Sequence, residues 1–160
     1  MKFILASLAL ILVSCSGSLN SKSSWLLEPT FPGTPEVITQ KGTDELGDYD
    51  EEHRFLEHDK FVYVGIKRQY QVPVPPATQE KFYDRIVSQF LQTKRARKSI
   101  NRKEIQLGEG KGRQYRMQFD DHAGDYILIF EGSTLYLFGV ESETTRLLNT
   151  SNFLQSIKVK

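Results

Sequence analysis

Cysteine is almost missing from this chain: Cys15 stands alone among 160 residues. Without a second thiol no disulfide can close within the chain, so burial and pairing have to hold the fold. A single cysteine in an exported chain asks for a separate explanation. Charge of one sign is missing too, since 21 Lys and Arg face 20 Asp and Glu. A neutral chain is not built for electrostatic capture of nucleic acid, which calls for a clearly basic domain. Long apolar runs are also lacking. The longest, Phe3 to Val13, is about 11 residues, against the roughly 20 a helix needs to cross a bilayer. No paired-histidine motif and no Gly-x-Ser-x-Gly elbow occurs, and no thiol follows Cys15. His53 and His58 are spaced for neither one helix face nor one strand face. No catalysis is expected, and the chain reads as a non-enzyme.

What is present begins at the amino terminus. Lys2, the apolar run behind it and the small residue Ser14 form the pattern of a secretory signal rather than a membrane span. Within it, Leu12-Val13-Ser14-Cys15 closely resembles the lipobox of bacterial lipoproteins. The resemblance implies transfer of a diacylglyceryl group to the Cys15 thiol, cleavage between Ser14 and Cys15, and N-acylation of the new terminus. One acyl chain binds a membrane only marginally, at about 0.8 kcal/mol per buried methylene, whereas two or more anchor stably. Ser16 stands where an Asp would retain such a protein in the inner membrane. The expected location is therefore the cell envelope, in the outer membrane of a Gram-negative cell, facing the periplasm or the surface.

The expected domain organisation follows: residues 1–14 as a cleaved signal, 15–24 as lipidated cysteine and flexible polar tether, and 25–160 as one domain. Removing Lys2 with the signal leaves 20 cations against 20 anions. They are unevenly spread, with acids crowded in residues 44–59 and bases in residues 94–116.

Along the domain, prolines at 32 and 35 suit an edge or a strand start. Glu36 to Lys41 alternates weakly, residues 42–47 turn, and Tyr49 to Leu56 is at best a polar strand. Lys60 to Tyr70 is apolar on both faces and belongs inside a sheet. Tyr83, Ile86, Val87, Phe90 and Leu91 recur at helical spacing, with Thr78 as the expected N-cap and Glu80 in the first turn. The period then changes to two: Arg113 to Phe119 has one buried and one wet face, and Tyr126 to Phe130 and Thr134 to Val140 read as central strands. Thr144 to Ser156 reads as a closing helix packing Leu147, Leu148, Phe153 and Leu154. The expected fold class is α+β, an antiparallel sheet with helices against it.

Phe31-Pro32-Gly33-Thr34-Pro35, the long helix, three closing strands and the ending Asn152 to Lys158 resemble PsbP-like domains, a superfamily that includes DcrB-type bacterial lipoproteins. The resemblance covers about Trp25 to Lys160. It implies a sheet sandwiched between helices and a binding or assembly role without catalysis, with another envelope protein as partner. The alternative is an envelope protein that binds a small ligand or a divalent metal.

Few residues carry candidate chemistry. Gly108-x-Gly110-Lys111-Gly112 has no Ser or Thr after the lysine and strand pattern on both sides, so a turn explains it better than a phosphate cradle. Asp120, Asp121, His122 and Asp125, or Asp44, Asp48, Asp50 and Glu52, could gather around a divalent ion. Turn chemistry explains the first set better, and a solvated loop the second. Lys94, Arg95, Arg97, Lys98, Arg102 and Lys103 read as a helix end and exposed loop, or as a patch facing anionic lipid or an acidic partner. No cofactor is expected beyond the acyl groups on Cys15.

Overall fold

The computed structural model describes residues 25–94, 99–119, 122–142 and 151–160, except the side chains of residues 89–94, 99, 100 and 151. Seven strands form one antiparallel sheet: β2 (Glu36–Asp44), β3 (Gly47–His58), β4 (Phe61–Tyr70), β5 (Ser99–Leu107), β6 (Gly110–Gln118), β7 (Ala123–Glu131) and β8 (Thr134–Ser142). Their spatial order is β2-β3-β4-β8-β7-β6-β5. A second, two-stranded ribbon pairs β1 (Leu27–Glu28) with β9 (Lys158–Val159). The helices described are α1 (Pro76–Lys94) and α2 (Ser151–Gln155).

The sheet is organised from its middle. β8 and β7 alternate apolar residues to both sides, as centrally placed strands must. Tyr126, Leu128, Phe130 and Leu135 join Phe82, Tyr83 and Val87 of α1 in one core. Ile127, Ile129, Tyr136, Phe138 and Val140 point the other way, into a second core with Trp25, Leu27, Phe153, Leu154 and Ile157. Each large apolar side chain taken fully out of water contributes about 1.5–3 kcal/mol, so both faces must be covered.

The covers differ in kind, and this corrects the expected fold class. The sheet is not sandwiched between helices, and the chain is mostly β. Among the described residues, α1 lies on one face, and Trp25, the β1–β9 ribbon and α2 lie on the other. The polar strand expected over Tyr49 to Leu56 is longer, Gly47–His58, because its charged residues find partners across the sheet. One reading fails for the same physical reason: pairing overrode polarity in β5, where a basic loop is expected at Arg102 and Lys103. The closing helix is described only over α2. Phe153 and Leu154 are buried as expected, whereas Leu147 and Leu148 lie outside the described residues.

Local chemistry sets the boundaries. α1 starts two residues earlier than Thr78: the Pro75 carbonyl accepts from the amides of Thr78 and Gln79 at 2.9 and 3.0 Å. Pro76, whose missing N–H costs nothing at the first helical position, opens the helix. Glu80 consequently falls beyond the first turn. The glycine run resolves into a two-residue turn between β5 and β6, with Gly108 at a φ of +62°. A strand, not a helix, follows it, which removes the phosphate-cradle reading.

Candidate functional site

Three strands, β2 to β4, carry a polar system on both of their faces. Counting from the two-residue turn at Asp59 and Lys60 places Glu51 opposite Arg68 and Glu52 opposite Lys67. Side chains alternate along a strand, so neighbouring carboxylates of β3 go to opposite sides of the sheet.

On the helix side, Arg68 Nε donates to Glu51 at 2.5 Å and its NH1 donates to Asp44 at 2.8 Å. The guanidinium also lies 4.0 Å from the Tyr49 ring centroid. Gln40 donates to the same Glu51 carboxylate at 2.7 Å, and His53 sits 2.5 Å from it. Tyr70 donates its hydroxyl to Asp44 at 2.9 Å. Glu51 is only 3% exposed. Burial pushes its carboxyl up, but the His53 hydrogen bond and the Arg68 charge, helped by Gln40, win and hold it down at about 2. Burial likewise works against the Arg68 charge, and Glu51 more than offsets it, so the guanidinium is held above its ordinary value. Burial raises the Tyr70 phenol, which keeps it neutral and able to donate.

On the opposite side, Glu52 accepts from Trp25 Nε1 and from Arg54 Nε, both at 2.8 Å. The Arg54 guanidinium lies 4.4 Å from the Trp25 ring centroid and reaches Glu28 at 2.7 Å. Glu28 also pairs with Lys160. This network ties the first described residue to the last and to β3.

The first acidic set is therefore split rather than gathered. Asp44 faces the helix side, bonded to Arg68 and Tyr70. Asp48 accepts from Thr43 at 2.6 Å, Asp50 pairs with Lys41 at 2.7 Å, and Glu52 is held by Trp25 and Arg54. These residues lie on paired strands, not in the solvated loop that the sequence suggested. Of the second set, Asp120 and Asp121 lie outside the described residues. His122 stacks on Phe119 at 4.2 Å, and Asp125 is buried, accepting from Arg116 Nε and NH2 at 2.9 and 2.7 Å. Among the described residues no group of three or more His, Cys, Asp or Glu is placed to hold a metal.

Of the basic set, only Arg102 and Lys103 have described side chains. Arg95, Arg97 and Lys98 lie outside the described residues, as does the Lys94 side chain. Arg102 and Lys103 are consecutive on β5 and so point to opposite faces, with Arg102 3.6 Å from Asp84 of α1. Arg113 is buried under α1, bonded to Asp84 at 2.6 Å and paired with Glu80. Ser14 and Cys15 precede the described residues, and no described helix is long and apolar enough to cross a membrane.

Beside the β2–β3 turn an open groove of about 580 Å³ is lined by polar groups, including Lys41, Thr43, Asp48, Asp50, Gln69 and Gln71. Gly42 is required beneath it, because a side chain there would meet the Tyr49 ring, with Cζ at 2.5 Å from the added carbon.

Sequence reading missed Gln40, Glu51, His53, Arg54 and Arg68. Their signal was present: pairing Tyr49–Leu56 with Lys60–Tyr70 as one hairpin around Asp59 brings the opposite charges into register. Comparison with known proteins finds no matching family model, no matching curated protein and no matching solved structure.

Proposed function

We propose that this is a lipid-anchored bacterial cell-envelope protein whose β-rich domain binds another protein and performs no chemistry. The observation that carries the location is the Leu12-Val13-Ser14-Cys15 sequence behind a charged, short apolar leader. Cleavage before Cys15 leaves residues 15–24 as a tether, and Trp25 enters the core at once. Fully extended, ten residues span at most roughly 33–36 Å, which keeps the domain near its membrane. The binding reading is supported by what the charges do: Glu51, Glu52, Asp125 and Arg113 are buried and bonded to neighbours that fix the sheet. Specificity then lies in the exposed strands rather than in a catalytic cleft.

In-cell crosslinking of the wild-type chain and a Cys15→Ser variant tests this. The wild type is expected in the membrane fraction, crosslinked to a defined envelope protein. Cys15→Ser is expected to leave the membrane and lose that crosslink. Equal fractionation of the two chains would refute the anchor, and absence of any specific crosslink would refute the binding role.

One observation favours a second reading, a small polar ligand in the groove beside the β2–β3 turn: Lys41, Asp50 and Gln69 line it in one row across three strands. A ligand bound there must raise the melting temperature as its concentration rises.

A further inference from the structure

The two edges of the main sheet are unlike. β5, at one end, exposes Asn101, Arg102, Lys103 and Glu104 in succession, the charged edge that prevents strand addition. β2, at the other end, carries four uncharged residues between Glu36 and Lys41: Val37, Ile38, Thr39 and Gln40. Val37 and Ile38 are 54% and 53% exposed. A long, exposed, aliphatic edge strand is a template for another strand.

The register says which backbone groups are open. β2 and β3 close on Asp44 opposite Gly47 across a two-residue turn and stay in step to Glu36 opposite Phe55. Hydrogen-bonded and non-hydrogen-bonded pairs alternate in such a ladder, beginning with a bonded pair at the turn. Asp44, Gly42, Gln40, Ile38 and Glu36 therefore bond β3, while Thr43, Lys41, Thr39 and Val37 turn their N–H and C=O outward. The β3–β4 turn gives the complementary set, with even-numbered residues of β3 bonding β4.

From this edge we infer that the chain forms a two-fold homodimer by antiparallel pairing of β2 with β2 of a second copy, centred on Ile38. Only outward residues can bond across the new junction, so pairing shifts in steps of two. Centring on Thr39 sets Val37 against Lys41 and Ile38 against Gln40, so neither aliphatic residue meets another. Centring on Gln40 sets Glu36 against Asp44 of the second copy, and centring on Lys41 sets lysine against lysine. Centring on Ile38 sets Val37 against Thr39, Glu36 against Gln40, and Ile38 against itself, with no like charges opposed. That register covers both exposed aliphatic residues. The guarded β5 edge lets the assembly close as a dimer rather than grow.

The axis of such a pair runs perpendicular to the sheet, so both copies present the Trp25 side in one direction. Trp25 is where the tether enters the domain, and both anchors can then reach one membrane. The inference deepens the protein-binding reading and rests on it, with a second copy as the partner.

The test uses the full-length chain in detergent, with Ile38→Lys, Ile38→Cys and Val72→Cys variants, folding being checked by circular dichroism. Val72 is 61% exposed and lies off β2, so it reports collision alone. The wild type is expected to sediment as a dimer. Ile38→Lys, which opposes two lysines at the axis, is expected to weaken the dimer at least about tenfold. Residues facing each other in a non-hydrogen-bonded pair lie about 4.5 Å apart, within disulfide range. Ile38→Cys should therefore crosslink on mild oxidation where Val72→Cys does not. A wild-type monomer at all concentrations, an Ile38→Lys dimer of unchanged strength, or equal crosslinking at positions 38 and 72 would overturn the inference. A monomer that still crosslinks to a different envelope protein in cells loses the dimer and keeps the binding module; a chain with neither loses both.

Discussion

At the scale of residues, Glu51 carries more of the structure than any acid around it. It is buried between Arg68, Gln40 and His53, whereas Asp50, next in sequence, meets Lys41 in solvent. Removing one partner of a buried pair strands the other without compensation, at about 3–5 kcal/mol. An exposed pair contributes about 0–1 kcal/mol. Glu51→Gln is therefore expected to lose several kcal/mol in urea unfolding, and Asp50→Asn less than about 1 kcal/mol. Comparable losses would contradict the assignment. The same carboxylate sets a pH dependence. Its folded value, about 2, lies below its ordinary value of 4.5, so its contribution is complete above the ordinary value and is lost as pH falls towards 2. Stability of the wild type should decline more steeply between those values than that of Glu51→Gln.

At the scale of elements, α1 is joined to the sheet by more than its apolar stripe. The Tyr83 hydroxyl donates to the Lys111 carbonyl at 3.0 Å and accepts from the Phe130 amide at 2.8 Å. It stitches the helix to the β6–β7 ladder, and burial holds its phenol well up and neutral. Tyr83→Phe keeps the ring and leaves the buried Phe130 amide and the Lys111 carbonyl without this partner. It should cost about 1–3 kcal/mol and speed hydrogen exchange at the Phe130 amide. Unchanged exchange there would show that the hydroxyl is not part of the ladder. The helix was legible in the sequence because Tyr83, Ile86 and Val87 repeat at its period, and β7 and β8 because they are apolar throughout. β3 was legible only as a polar strand over Tyr49 to Leu56. Asp48, Asp50, Glu52 and Arg54 read as solvated until their partners Thr43, Lys41, Trp25 and Glu28 are known, and those sit 5 to 27 residues away in sequence. Polarity alone cannot separate a wet loop from a strand whose charges are answered across the sheet. β5 failed for the same reason, with Arg102, Lys103 and Glu104 on an edge where solvent accepts them.

At the scale of the whole molecule, the described residues from Trp25 on form a domain with two cores, and the proposed anchor lies in the amino-terminal segment before it. The cores share one sheet, and among the described residues the Trp25 side is covered by Trp25, α2 and the β1–β9 ribbon. Phe153 packs edge-on against Phe31 and Tyr63 at 5.1 and 5.2 Å. Phe153→Ala should cost about 3–5 kcal/mol in the same unfolding measurement, and a change below 1 kcal/mol would mean that α2 is not an essential cover. The proposed location rests on the four residues Leu12 to Cys15, because a processing site is local in sequence. A binding surface is not local. The groove beside the β2–β3 turn and the open β2 edge exist only once three strands are paired.

The most direct measurement of the account as a whole is the intact mass of the mature protein purified from a bacterial host, with fragmentation of its amino-terminal peptide. The expected species begins at Cys15 and carries a diacylglyceryl thioether and an N-acyl group, and Cys15→Ser yields none of it. A mature chain that begins elsewhere, or one that begins at Cys15 with a free thiol, would contradict the anchored envelope protein described above.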